Sequence, residues 1–319
     1  MRTLISVLLT CVTLSFAAQP ACAQTRAPFI RVLGTVQDGG LPHAGCTCVR
    51  CIAARSDPAF KHFVASLALV TPDAKRGWQT HLIDATPDIT AQIHMLEDVR
   101  VFTRGRVDRT PVDSVLLTHA HMGHYFGLAR FGFEAVHTRN LPVRLTPRFA
   151  AFLHNNGPWS QLVDKHEVRL IETSPGDSYE LDGLRITPIT VPHRDEYSDT
   201  VGYRIAGPHA TVLYVPDTDG WSQWPAPLLD ALGDVDVAIL DGTFYSMAEL
   251  PGRDIDKVRH PLMTQTMDLL QEAVNQGRLR VIFTHLNHTN PALSPSSPER
   301  HEIERRGFEV AAEGIIIPL

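Results

Sequence analysis

Residues 116–128 read LLTHAHMGHYFGL, and they place His119, His121 and His124 within six positions directly after an apolar run. At i and i+2 of an extended segment, His119 and His121 point to the same side. His124 lies one turn further on, where YFGLARFGF (125–133) begins a helical pattern. Neutral imidazoles held together after a strand are nitrogen donors suited to a divalent metal. The blander alternative is a set of core or solvated histidines. Between His121 and His124, where a carboxylate ligand is expected, stands Gly123.

The same arrangement recurs along the chain. Apolar segments of strand length alternate with turns, and several carry an acid or an imidazole just past their end: Asp84 in THLIDAT, His193 after LRITPITV, Asp217 after TVLYVP, Asp241 closing VDVAILD and His285 closing LRVIFTH. One such residue means little, because turn residues are often polar. These five, with His119 closing DSVLLTH, make six strand ends with metal-ligating chemistry and indicate a scaffold that aims them at one place. Helical patterns are interleaved, over 88–96, 147–154 and 261–276; the last carries Leu262, Met263, Met267, Leu269, Leu270 and Val274 broadly on one stripe. Many strands with helices between them, and no Pro/Gly/Ser linker, predict an α/β fold of two sheets with helices outside, in a single domain over 24–319.

The full sequence has 319 residues, 44% of them hydrophobic, enough for a sizeable core. A formal net charge of −6 and the lack of a Lys/Arg block give no electrostatic footprint for nucleic acid, which leaves a small-molecule substrate as the expected partner. Residues 1–23, MRTLISVLLTCVTLSFAAQPACA, combine an early Arg, an apolar stretch and a small-residue ending, the pattern of a signal peptide cleaved after Ala23. The apolar stretch is short of the roughly 20 residues a membrane span requires. The expectation is therefore a periplasmic or secreted protein with no stable membrane anchor. Cleavage would leave three cysteines, Cys46, Cys48 and Cys51, a poor basis for a disulfide framework.

The segment Thr-His-x-His-x-x-His-x-x-Gly-Leu, together with the ordered Asp84, His193, Asp217 and His285, resembles the metallo-β-lactamase superfamily, whose motif usually reads His-x-His-x-Asp-His. The resemblance implies a four-layer αββα sandwich with one or two metals at a sheet edge. It implies ligands at His119, His121, His124, His193, Asp217 (bridging) and His285, with Asp84 supporting the site. VLGTVQDGGLPHAGCTCVRC (32–51) and HLNHTNPAL (285–293) are similar to coenzyme PQQ synthesis protein B-like members of the superfamily. The Cys-x-Cys-x-x-Cys element also resembles that of the phosphonate-pathway cyclic phosphodiesterase, which implies a structural Zn²⁺ on Cys46, Cys48, Cys51 and His288, apart from the chemistry. Three thiolates and an imidazole form a closed tetrahedral set that suits zinc.

With Gly123 offering no side chain, the second metal position is expected to be depleted, leaving a mononuclear or asymmetric centre; Asp195 in the next loop is one candidate substitute. Zn²⁺ is the expected active-site metal, with Mn²⁺ or Fe²⁺ as alternatives. His260 falls where phosphodiester-cleaving relatives carry a helper histidine, a candidate general acid. Asn155, Asn156, Trp159, Arg194, Asp195, Glu196 and Tyr197 are expected to shape the pocket. Three functions fit: an exported metal-dependent hydrolase of an ester, phosphodiester or lactam; a PQQ-synthesis-B-like protein, in an iron-dependent oxidative form; and a non-catalytic metal-binding protein.

Overall fold

The computed structural model describes residues 26–319 apart from 101, 103, 104, 106, 255 and 256, so the expected leader, 1–23, lies outside the described residues. Two seven-stranded sheets form the centre. The first runs, edge to edge, Ile316–Pro318, Phe29–Gly34, Ser66–Asp73, Gly77–Ile83, Ser114–Leu116, Leu141–Leu145 and Val168–Glu172. The second runs Glu309–Val310, Arg280–Thr284, Val237–Asp241, Thr211–Val215, Val201–Ala206, Leu184–Thr190 and Tyr179–Leu181.

Side-chain alternation explains why the sheets stack and why both are covered. In Phe29–Gly34, Ile30 and Val32 enter the layer between the sheets, with Leu67, Ile83, Ile186, Ile205, Val212 and Ile239, while Leu33 faces the outer side. That outer layer packs on the helices Ile89–His94, Pro147–Asn155 and Trp159–Asp164. The second sheet buries Leu213, Val215, Leu240 and Phe283 against the helices Leu228–Leu232, Met263–Asn275 and Pro298–Arg305. Strands buried on both faces are apolar over long runs, as at 67–70, where Leu67, Ala68, Leu69 and Val70 are all buried. The result is the αββα sandwich.

The helix Met263–Asn275 departs from the sequence reading in one respect. Met263, Thr266, Met267, Leu270 and Ala273 are its buried residues, whereas Leu269 is 42% exposed. The 3.6-residue turn places 263, 266, 267, 270 and 273 along one face and rotates 269 off it.

Each sheet is parallel on one side. Gly77–Ile83, Ser114–Leu116, Leu141–Leu145 and Val168–Glu172 pair parallel in the first sheet. Thr211–Val215, Val237–Asp241, Arg280–Thr284 and Glu309–Val310 do so in the second. Parallel strands end on the same edge, so Asp84, His119, Asp217, Asp241 and His285 all emerge together. Asp84 and His285 adopt φ of 69° and 60°. Non-glycine residues pay of order 1–3 kcal/mol for such conformations and keep them where the surroundings demand it, often at functional sites.

Truncating the fully buried Met267 to Ala should cost about 2–5 kcal/mol of stability. Leu269→Ala should stay within about 0.5 kcal/mol. Urea denaturation of both variants checks the assignment, and equal losses would contradict it.

Candidate metal centre

His119, His121, His193 and Asp217 form one donor group at the sheet edge. His119 Nε2 lies 3.0 Å from His121 Nδ1, which lies 3.1 Å from His193 Nε2. Asp217 Oδ2 closes the set at 3.4 Å from His119 Nε2 and 3.1 Å from His193 Nε2. Four donor atoms turned inward at these separations match a tetrahedral divalent ion.

The outward nitrogens of these rings are held by other side chains. His193 Nδ1 lies 3.2 Å from Asp219 Oδ1, and His121 Nε2 lies 2.9 Å from Glu196 Oε2. Asp84 orients two rings at once. The backbone N–H and the hydroxyl of Thr118 donate to it at 2.8 and 3.0 Å, and the same hydroxyl oxygen lies 2.9 Å from His119 Nδ1. Its other oxygen lies 2.7 Å from His124 Nδ1. With His124 Nδ1 donating to this buried acid and His119 Nδ1 donating to the Thr118 hydroxyl that the acid holds, the lone pairs of His119 Nε2 and His124 Nε2 face inward, as ligation requires. Burial, reinforced by the neighbouring His124, holds the His119 imidazole well below its ordinary value, in the neutral form a metal binds.

A second group meets the first at Asp217. His124 Nε2 and His285 Nε2 each lie 3.9 Å from Asp217 Oδ2. They converge on Asp38, an acid the sequence reading passed over, whose Oδ1 lies 3.3 Å from His124 Nε2 and 3.9 Å from His285 Nε2. Those three atoms are buried and find no hydrogen-bond partner among the described residues. Each such orphan costs about 1–3 kcal/mol, and one cation among them would satisfy all three. The donor set therefore fits a metal. Burial opposes charge in both cases, yet Asp84 and Asp38 hold the His124 imidazole well above its ordinary range, and His285 and His193 hold the Asp217 carboxyl well below its own. Asp195 is not the third member: Thr200 Oγ1 donates to its Oδ1 at 3.1 Å, away from His124 and His285.

A family model for the beta-lactamase superfamily domain matches residues 79–286, which contain all of these ligands except Asp38. The chain belongs to the beta-lactamase superfamily. Coenzyme PQQ synthesis protein B of Pseudomonas fluorescens (strain Pf0-1) is 26% identical over 91% of this chain and all of its own length. That of Methylorubrum populi is 28% identical over 90% of this chain and 99% of its own. Among solved structures, Zn(2+)-bound PqqB from Methylobacterium extorquens superposes with a TM-score of 0.75 at 24% identity, over 91% of this chain and 100% of that one. A diphosphatase of the PhnP family superposes with a TM-score of 0.63 at 20% identity, over 92% and 98%. These two likenesses establish the metallo-β-lactamase fold.

In this superfamily member, the wall beside the donors is made by His260, which precedes the helix Met263–Asn275. Its Nδ1 lies 2.9 Å from Asp241 Oδ2 and 3.3 Å from Asp217 Oδ1. Burial lowers its pKa, but Asp241 more than offsets this and lifts it to about 9. Arg194, Lys257 and Arg259 line the hollow in front of His260. Of the other residues expected to shape the pocket, Trp159 is buried against Tyr125, and the amides of Asn155 and Asn156 bond back to their own helix.

Cys46, Cys48, Cys51 and His288 form a separate donor cluster, with all three thiols free. Buried His288 Nδ1 has no hydrogen-bond partner among the described residues, so this thiolate–imidazole set also fits a zinc ion. It is tied closely to the centre, because His288 follows His285 by three positions.

Asp84→Ala removes the acid that orients His119 and His124, and should weaken metal binding about 10–100-fold, measured by competition with a chromophoric chelator. Unchanged affinity would show that those rings are fixed by other means. Cys48→Ser should release the cluster's metal and lower the melting temperature, by about 2–4 °C for each kcal/mol of stability lost; a variant with full metal content and unaltered melting would refute the assignment.

Proposed function

We propose that the chain is a metal-dependent hydrolase acting on an anionic ester, a phosphodiester above all. One observation carries the reading: a single oxygen of Asp217 stands within 3.1–3.9 Å of four imidazoles drawn from two donor groups, the arrangement of a centre that shares one carboxylate between two ions. A bound divalent ion lowers the pKa of a coordinated water towards about 7 and polarises the bond under attack. The protein's own residues supply the rest. Two aspartates and five neutral imidazoles leave a net positive centre once loaded, which favours an anionic transition state. Arg194, Lys257 and Arg259 draw an anionic group to the hollow. His260, hydrogen-bonded through Nδ1 to Asp241, is placed to hand a proton to the leaving oxygen.

The similarity to PQQ synthesis proteins along nearly the whole chain supports a second reading, a part in cofactor synthesis; imidazole and carboxylate donors also accept iron, which would give that part an oxidative form. Metal analysis and turnover separate the two. Protein loaded with zinc or manganese should hydrolyse bis(p-nitrophenyl) phosphate in preference to a carboxylic ester or a lactam. His119→Ala and His193→Ala should lose both metal and activity, and His260→Ala should keep its metal while kcat falls about 10²–10⁴-fold. Oxygen consumption with iron-loaded protein, and no hydrolysis with zinc, would overturn the hydrolase.

The reading includes export to the periplasm or medium, supported by the residue pattern of 1–23. Intact-mass measurement of protein from its native host should find a chain that begins at Gln24; a chain retaining Met1 would refute export.

A further inference from the structure

We propose that Asp38 is the carboxylate ligand of the second metal position, delivered by a loop that lies across Gly123 and is clamped on its far side by the thiolate cluster. This rests on reading the histidine and aspartate groups as a metal centre, and it reverses the expectation that the loss of a carboxylate beside His124 leaves that position depleted.

Gly123 shows why. It sits in the short helix Met122–Tyr125 and is not among the positive-φ glycines, so its backbone does not require glycine. What it requires is room. A Cβ at 123 would stand 2.0 Å from Asp38 Oδ1 and 2.7 Å from both Asp38 Cγ and Asp38 Cα. The volume that the stem of a motif carboxylate would occupy is thus filled by another residue's carboxylate and backbone. The incoming carboxylate turns its buried Oδ1 toward His124 Nε2 and His285 Nε2, the two donors that lack a carboxylate of their own. Asp38 and Gly123 are a matched pair, with the ligand moved from one segment to another and the side chain at its former place removed to admit it.

The loop is held on both sides of Asp38. Upstream, Val36 bridges to Val64 and Leu286, and the Gln37 N–H donates to the Leu286 carbonyl at 3.0 Å, one residue after the ligand His285. Downstream, a Cβ at Gly39 would meet the His43 ring at 2.3 Å. That ring lies 4.5 Å from the ring of His288, and the His43 N–H donates to Cys51 Sγ at 3.2 Å. Asp38 therefore lies on a short span between one ligand's own strand end and the cysteine cluster. In this arrangement the cysteine cluster is a positioning element for the second ion as well as a staple of the fold.

The test counts ions on the full chain, independently of any turnover. Apo protein is reloaded with cobalt(II) or zinc(II), and bound metal is measured by mass spectrometry. The thiolate-to-cobalt charge-transfer band reports the cysteine cluster separately from the histidine sites. Wild type should hold three ions: one in the cluster and two in the centre. Asp38→Asn, nearly the same shape, and Asp38→Ala should hold two, with the charge-transfer band intact and affinity for the lost ion reduced at least about 100-fold, beyond the effect of losing an outer partner. Gly123→Ala, which forces the loop away without supplying a carboxylate, should behave as Asp38→Asn does. Cys51→Ser should lose the cluster ion and weaken the second centre ion while sparing the ion on His119, His121 and His193. Melting curves on each variant confirm that it is folded. Three ions retained in Asp38→Asn and Asp38→Ala, or in Gly123→Ala, would overturn the proposal. Failure of the hydrolase reading would appear differently, as a correct ion count without turnover.

Discussion

The centre depends on one buried carboxylate. Asp217 directs Oδ2 at His119, His193, His124 and His285 and leaves Oδ1 facing His260. Imidazoles crowded this closely would be driven apart by their own desolvation and, when protonated, by mutual repulsion. A shared anion in a water-poor pocket makes their convergence tolerable in the absence of metal and productive in its presence. Everything around it serves that convergence. Asp84 and Thr118 fix which nitrogens of His119 and His124 face inward, and Thr243 lies 3.1 Å from the outer nitrogen of His285.

The sheets make this affordable. Backbone in the parallel halves is hydrogen-bonded and packed in apolar layers on both faces, so the strand ends are rigid to within what the core allows. The cost of placing Asp84 and His285 in left-handed conformations is carried by that framework. The Asp84 N–H donates to the Leu116 carbonyl at 2.8 Å, tying one strand's end to its neighbour just before the histidine motif.

Much of this was legible in the chain. Strand-length apolar runs ending in acids or imidazoles announced both the sandwich and the edge where His119, His121, His193 and Asp217 meet. The three cysteines were legible because their spacing is local, while His288 was expected only from the family resemblance. Asp38 does not show this signal, because it lies four residues past the first strand, Phe29–Gly34, whereas Asp84 directly follows Gly77–Ile83. A gap in a local motif suggests a local loss, while ligand sets are assembled in space. The outer partners Asp219 and Thr118 were equally invisible, and Glu196 was expected only as a pocket residue, because a residue that orients a ring has no spacing of its own. Leu269 was misplaced on its helix because hydrophobicity alone does not separate the buried face from an apolar residue just off it.

The segment His285–His288 contributes one donor to each of two clusters, with Leu286 and Asn287 between them. Leu286 is fully buried and also accepts the Gln37 N–H. Such a segment behaves as a spacer of fixed length. Inserting or deleting a single residue there cannot be absorbed by a loop, since it would misplace a ligand in one cluster or the other and break the strand-end bridge as well. Side chains at 286 and 287 can vary within the limits of packing, but their number cannot. Drift in this part of the molecule is therefore confined to substitution, while changes in chain length must accumulate elsewhere on the surface.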